Sequence, residues 1–125
     1  MRALVTLAFS LAILAAGSVA QADPDAEQGR QVYTIFCATC HGPAGDGQGP
    51  VGKTLVPPPR DFTVGDFKFG GTDQDIFDVI SNGALAKGGS PLMAPWGAVI
   101  PENDRWAIVA FIRTLMQSAP EVSSE

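Results

Sequence analysis

The chain has 125 residues, 46% of them hydrophobic, with eight Lys and Arg against thirteen Asp and Glu and a formal net charge of −5. That length holds one domain at most. The acidic balance argues against nucleic acid or an anionic membrane surface as partner, and a basic or neutral docking protein suits it better.

Residues 1–22 read as a secretory signal. Arg2 is a minimal basic start, Ala3 to Ala16 is an uncharged apolar run, and Ala20-Gln21-Ala22 is a small-x-small cleavage site. Cleavage after Ala22 leaves a chain of 103 residues beginning at Asp23, with seven basic and thirteen acidic side chains and a net charge of −6. Cleavage after Ala20 is an alternative. So is an uncleaved anchor, because the apolar run and its small-residue tail approach the lower limit of a membrane span. A chain of this size sits near the lower end for a single stable core, and a buried prosthetic group would add apolar surface.

Asp23-Pro24-Asp25 offers a helix cap and a first-turn proline. Ala26 to about Cys40 follows as an amphipathic helix with Val32, Tyr33, Ile35 and Phe36. Gly29 inside it costs about 1 kcal/mol relative to Ala, which points to a close approach by another helix. The helix runs into Cys37-Ala38-Thr39-Cys40-His41, the attachment signature of a c-type haem. The order has a chemical reason: each thiol adds across one haem vinyl group, and the adjacent imidazole becomes the proximal iron ligand. Positions i, i+3 and i+4 share one helix face, so all three can meet one porphyrin. Two rival readings are a redox dithiol and half of a zinc site. Zinc needs two further Cys or His ligands, and the chain holds only two cysteines and one histidine.

Residues 42–60 are broken by glycines, Pro43, Pro50 and Pro57-Pro58-Pro59, and read as an irregular loop wrapped around the proximal side. Its glycine spacing lacks the strand and lysine-bearing helix of a phosphate loop. Phe62, Phe67 and Phe69 are too sparse for a strand and serve as core, as cofactor lining, or both. Thr72 and Asp75 form a capping box for a helix stopped by Asn82-Gly83. After a second loop, Pro101-Glu102-Asn103-Asp104 opens a last helix with Trp106, Ile108, Val109, Phe111, Ile112, Leu115 and Met116 as its apolar set. The residues from Ser118 to Glu125 are a polar tail. Three helices, irregular loops and no strand make the chain all-α.

A haem with one histidine needs a sixth ligand or stays open. Met1 leaves with the signal, and Met116 lies on an apolar helix face. Met93 lies in Pro91-Leu92-Met93-Ala94-Pro95, where prolines stiffen a strap able to hold a thioether against iron. His41 and Met93 are the expected metal ligands. A neutral thioether stabilises ferrous iron and raises the reduction potential.

With Cys37–His41 near the start and Met93 downstream, the chain resembles the small bacterial class I c-type cytochromes over essentially its whole mature length, with 23–117 as the cytochrome c domain. Gly29 and Tyr33 match that family's glycine and aromatic ahead of the first cysteine. Ile108 and Phe111 match its C-terminal helix, and the resemblance implies a tight crossing of these two helices. It further implies that Pro50 supplies the carbonyl bonded to the proximal histidine, and that Arg60 faces a haem propionate, although a solvated surface charge is the plain alternative. Trp96 is expected to pack, with a propionate bond as the alternative. Ala94 separates Met93 from Pro95 where many relatives carry Met-Pro.

These features imply a periplasmic, exported monohaem cytochrome c with one covalently attached haem, shuttling one electron between redox partner proteins. Such a carrier needs no catalytic residue. The alternatives are a haem enzyme, a ligand-binding or sensor cytochrome with a labile sixth position, and an electron-transfer subunit of a larger oxidoreductase.

Overall fold

The computed structural model describes residues 23–117. The expected signal at 1–22 and tail at 118–125 therefore lie outside the described residues. Four helices are present among the described residues: α1 (Ala26–Phe36), α2 (Ala38–His41), α3 (Asp73–Asn82) and α4 (Glu102–Gln117), with 3-10 turns at Gly52–Thr54 and Leu85–Lys87. No strand occurs among the described residues, so the all-α expectation holds.

Asp25 is the N-cap of α1, its carboxylate accepting from the Glu27 amide at 2.9 Å. Pro24 therefore precedes the cap instead of entering the first turn. Gly29, Val32 and Tyr33, spaced i, i+3 and i+4, form the buried stripe. They meet α4, whose Ala107, Ile108, Val109, Phe111 and Ile112 are also buried. The anticipated crossing is very close: a Cβ on Gly29 would lie 1.9 Å from the Ala107 carbonyl oxygen. The Tyr33 ring meets Phe111 edge-on at 5.0 Å.

The helix expected to run unbroken to Cys40 instead pauses at Cys37, whose φ of −114° separates α1 from α2. Cys37 N still bonds Tyr33 O, and His41 N bonds Cys37 O at 2.9 Å, so helical hydrogen bonding continues on both sides of the pause. Nothing local in the sequence marks the pause. The carbonyls at the end of α2 are instead taken by the glycine-rich loop: Val51 N bonds Thr39 O at 3.0 Å, Gly49 N bonds Cys40 O at 3.2 Å and Gly47 N bonds His41 O at 2.8 Å. These are the orphan acceptors that every helix end leaves. A Cβ at Gly52 would sit 1.8 Å from Cys40 O, so the loop lies flat on the attachment turn because glycine lets it.

The capping box of α3 is present in both directions. Thr72 Oγ1 accepts from Asp75 N at 3.1 Å, and Asp75 Oδ2 accepts from Thr72 N at 3.1 Å. The helix ends as expected at Gly83, with φ 76°. The strap that follows is fastened back onto it: Ala84 N bonds Met93 O at 3.1 Å, Trp96 N bonds Ile80 O at 2.9 Å and Gly97 N bonds Ser81 O at 3.0 Å. Ile76, Ile80 and Ile100 join Val32, Tyr33, Phe62 and the α4 residues in one core.

Candidate haem site

All of these elements converge on one cavity of about 510 Å³, within the range of small-molecule and cofactor sites. The end of α1 and α2 contribute Phe36, Cys37, Cys40 and His41. The loop contributes Pro57, Pro58, Pro59 and Arg60. Phe62, Phe67 and Phe69 form an aromatic wall, and α3 and α4 add Ile76, Ile80, Ile108 and Ile112. The strap contributes Met93 and Trp96. Phe62, a core residue, and Phe67, packed against the core, thus serve both expected roles, and Phe69 serves as lining.

His41 is held at a defined angle and in a defined tautomer. Its Nδ1 lies 3.1 Å from the Arg60 carbonyl oxygen. A carbonyl only accepts, so Nδ1 carries the proton and Nε2 keeps its lone pair. Burial pushes the His41 pKa down, with the Arg60 bond opposing the shift, so the ring is neutral near pH 7. A neutral imidazole with Nε2 free and Nδ1 tied to a backbone oxygen is the form that ligates a metal. Phe62 stacks on the ring, with centroids 4.5 Å apart and planes 16° from parallel.

Cys37 and Cys40 are both free thiols on the same wall. Burial, and then the neighbouring Cys40, push the Cys37 thiol up to about 12. A redox dithiol requires the opposite, a lowered thiol pKa. Among the described residues no group of three or more His, Cys, Asp and Glu side chains is arranged to hold a metal ion by itself, which also disfavours zinc. The donors that do meet here are two thiols, one imidazole nitrogen and one thioether, around an apolar slot. That set fits a haem.

One expectation changes. Pro50 is exposed and absent from the cavity wall; the carbonyl bonded to His41 belongs to Arg60. Around Pro50 the chain is occupied in covering the end of α2, and only after Pro57-Pro58-Pro59 does it return across the imidazole. The second proline cluster was the available signal, since prolines fix the approach of the following carbonyl. Arg60 thus acts through its backbone. Its side chain lines the cavity and reaches Asp66 at a loose 3.5 Å. Trp96 packs as expected, its ring 5.4 Å from that of Phe36. Met116 lies away from the cavity, its sulfur 3.6 Å from an Arg113 nitrogen, while Met93 lines it.

A helical domain built around one such slot is a small c-type cytochrome, with haem as its cofactor. Residues 24–112 match the family model described as cytochrome c oxidase, cbb3-type, subunit III, and the chain belongs to that family. It is 30% identical over 92 residues to the cbb3-type cytochrome c oxidase subunit FixP of Azorhizobium caulinodans, covering 74% of this chain and 28% of that protein. It is also similar to a chain of the reducing HAO-like protein complex of Kuenenia stuttgartiensis, with a TM-score of 0.62 and 35% identity, covering 71% of this chain and 41% of the other. The match therefore spans less than half the length of either relative. No helix among the described residues is long and apolar enough to cross a membrane.

Proposed function

We propose that this chain is an exported one-electron carrier holding a single haem through thioether bonds from Cys37 and Cys40, with His41 and Met93 as axial ligands. The observation that carries the reading is the meeting of His41 and Met93, from segments more than fifty residues apart, on one cavity that also holds both thiols. Haem bound there supplies an iron couple whose potential the axial ligands and surrounding dielectric set. The protein's own residues do the rest. Arg60 O and Phe62 hold the imidazole, and the strap bonded to α3 holds Met93. The isoleucines of α3 and α4 exclude water. With His41 and Met93 both holding the iron, no position would remain on it for a substrate, so the reading is a carrier and not a catalyst. Its partners are redox proteins that dock where the cavity opens, and its place is the periplasm once residues 1–22 are removed.

The test is the exported protein itself. It is expected to be red, to keep its haem in acidified acetone, and to show a low-spin spectrum with a positive reduction potential. Met93→Ala is expected to change that spectrum and lower the potential. An unchanged spectrum and potential in Met93→Ala would remove the His/Met carrier reading and favour an open-site haem protein. A second reading, a subunit of a larger oxidoreductase, draws support from the two relatives, one called an oxidase subunit and the other a complex. Co-purification from the native membrane fraction separates subunit from free shuttle.

A further inference from the structure

The His41 ring is the inner end of a row of stacked groups that reaches the surface of α4. Phe62 lies 4.5 Å from His41 with planes 16° apart, and Phe67 lies 6.0 Å from Phe62 with planes 20° apart. The Arg113 guanidinium covers the outer face of the row, 5.5 Å from the Phe67 centroid. Arg113 is itself fixed, its Nε donating to Asp73 Oδ1 at 2.7 Å and a terminal nitrogen to Gly71 O at 2.5 Å. The inner part of the row is clamped by Phe62 N, which bonds Gly45 O at 2.7 Å, and by Tyr33, edge-on to Phe62 at 6.5 Å.

A histidine needs such a device. Its χ2 is a broad, two-fold torsion that covalent geometry leaves loose. The Nδ1 bond to Arg60 O gives the ring a direction, but carbonyl oxygens accept hydrogen bonds over a wide range of angles. A parallel ring in stacking distance supplies the missing constraint, because rotating the imidazole out of plane opens a gap on one side and collides on the other.

We infer that Phe62 is a positioning residue that fixes the rotational angle of the His41 imidazole, with Phe67 and Arg113 holding Phe62 in place. The inference rests on His41 being an axial ligand. That angle sets how the imidazole π orbital meets the iron orbitals, and hence the anisotropy of the ferric state, which packing alone does not touch.

The experiment is electron paramagnetic resonance and proton NMR of the ferric holoprotein, read as the g-value pattern and the order of the haem-methyl resonances. Phe62→Leu is expected to alter both while retaining haem and histidine ligation. Phe62→Tyr, which keeps a ring, is expected to keep the wild-type pattern. Ile35→Ala, on the exposed side of α1 and outside the cavity, is expected to leave it unchanged. Should Phe62→Leu fail to fold, the wild-type NMR structure decides, by whether the His41 plane lies parallel to Phe62. A Phe62→Leu holoprotein with the wild-type pattern, or a wild-type imidazole crossing the Phe62 plane steeply, overturns the inference alone. A wild-type holoprotein with no histidine-ligated signature overturns the ligand assignment along with it.

Discussion

Gly29 and Ala107 touch backbone to backbone: a methyl group on Gly29 would fall 1.9 Å from the Ala107 carbonyl oxygen and 3.0 Å from the Ile108 nitrogen. In an isolated helix Gly29→Ala would gain about 1 kcal/mol. Here the obstacle is main chain, which has no rotamer to change, so α1 and α4 must separate. We expect a net loss of about 3 kcal/mol or more, at the upper end of overpacking penalties. Denaturant unfolding of the holoprotein measures it, and an equal or higher midpoint than wild type would refute the close-crossing argument.

Tyr33 is 1% exposed and its hydroxyl donates to Gly42 O at 2.7 Å, directly after the attachment turn. Burial pushes its pKa upward, with the Cys37 and Asp46 neighbours adding to the shift, so the hydroxyl keeps its proton. Tyr33→Phe removes this bond and leaves the ring contacts in place. Gly42 O retains a second donor, Gly45 N at 3.0 Å, so no acceptor is orphaned. The expected loss is about 1 kcal/mol, seen as a lower denaturation midpoint with the slope unchanged.

The features legible in the sequence were those made of side chains at short range. The capping box, the glycine stop at Gly83, the attachment turn and the apolar faces of α1 and α4 follow from residue types at fixed spacing. The pause at Cys37 does not, because no residue type there marks it; nor does the covering of α2, whose Thr39, Cys40 and His41 carbonyls are taken by loop amides from up to twelve residues away. The partner of His41 is Arg60 O and not the expected Pro50 O for a related reason. It is a backbone oxygen, a group every residue carries, so composition could point to a proline-rich approach but not to Arg60. Phe62 was visible as a cavity aromatic, while its stacking on His41 is a tertiary fact.

Asp75 links the α3 cap to pH. Its bonds to Thr72 hold its carboxyl below the ordinary value of 3.8. The unfolded chain therefore takes up a proton before the folded one does. The cap contributes fully above that ordinary value and is lost as pH falls through the lower folded value. Asp75→Asn is expected to be less stable than wild type at pH 6, with the difference shrinking below about pH 3.8. Thermal unfolding of both proteins across that range checks the sign; a gap that widens on acidification would contradict it.

Gly83 offers a way to move Met93 without touching its side chain. Gly83 has φ 76°, and a Cβ there would lie 2.8 Å from Met93 O and 3.0 Å from Pro95 N. Gly83 also has ψ 170°, a region that is essentially glycine-only, so Gly83→Ala combines a backbone cost of about 1–3 kcal/mol with a push against the strap. The nearest hydrogen bond, Ala84 N to Met93 O at 3.1 Å, lies directly in the path. If the strap positions the thioether, as proposed, the variant should lose part of the thioether-to-iron absorption and show a lower potential, in the direction of Met93→Ala but smaller. A thermal shift with the absorption and potential intact would mean that the strap supports the fold alone and that Met93 is held by something other than the bond from Ala84 and the strap's bonds to α3.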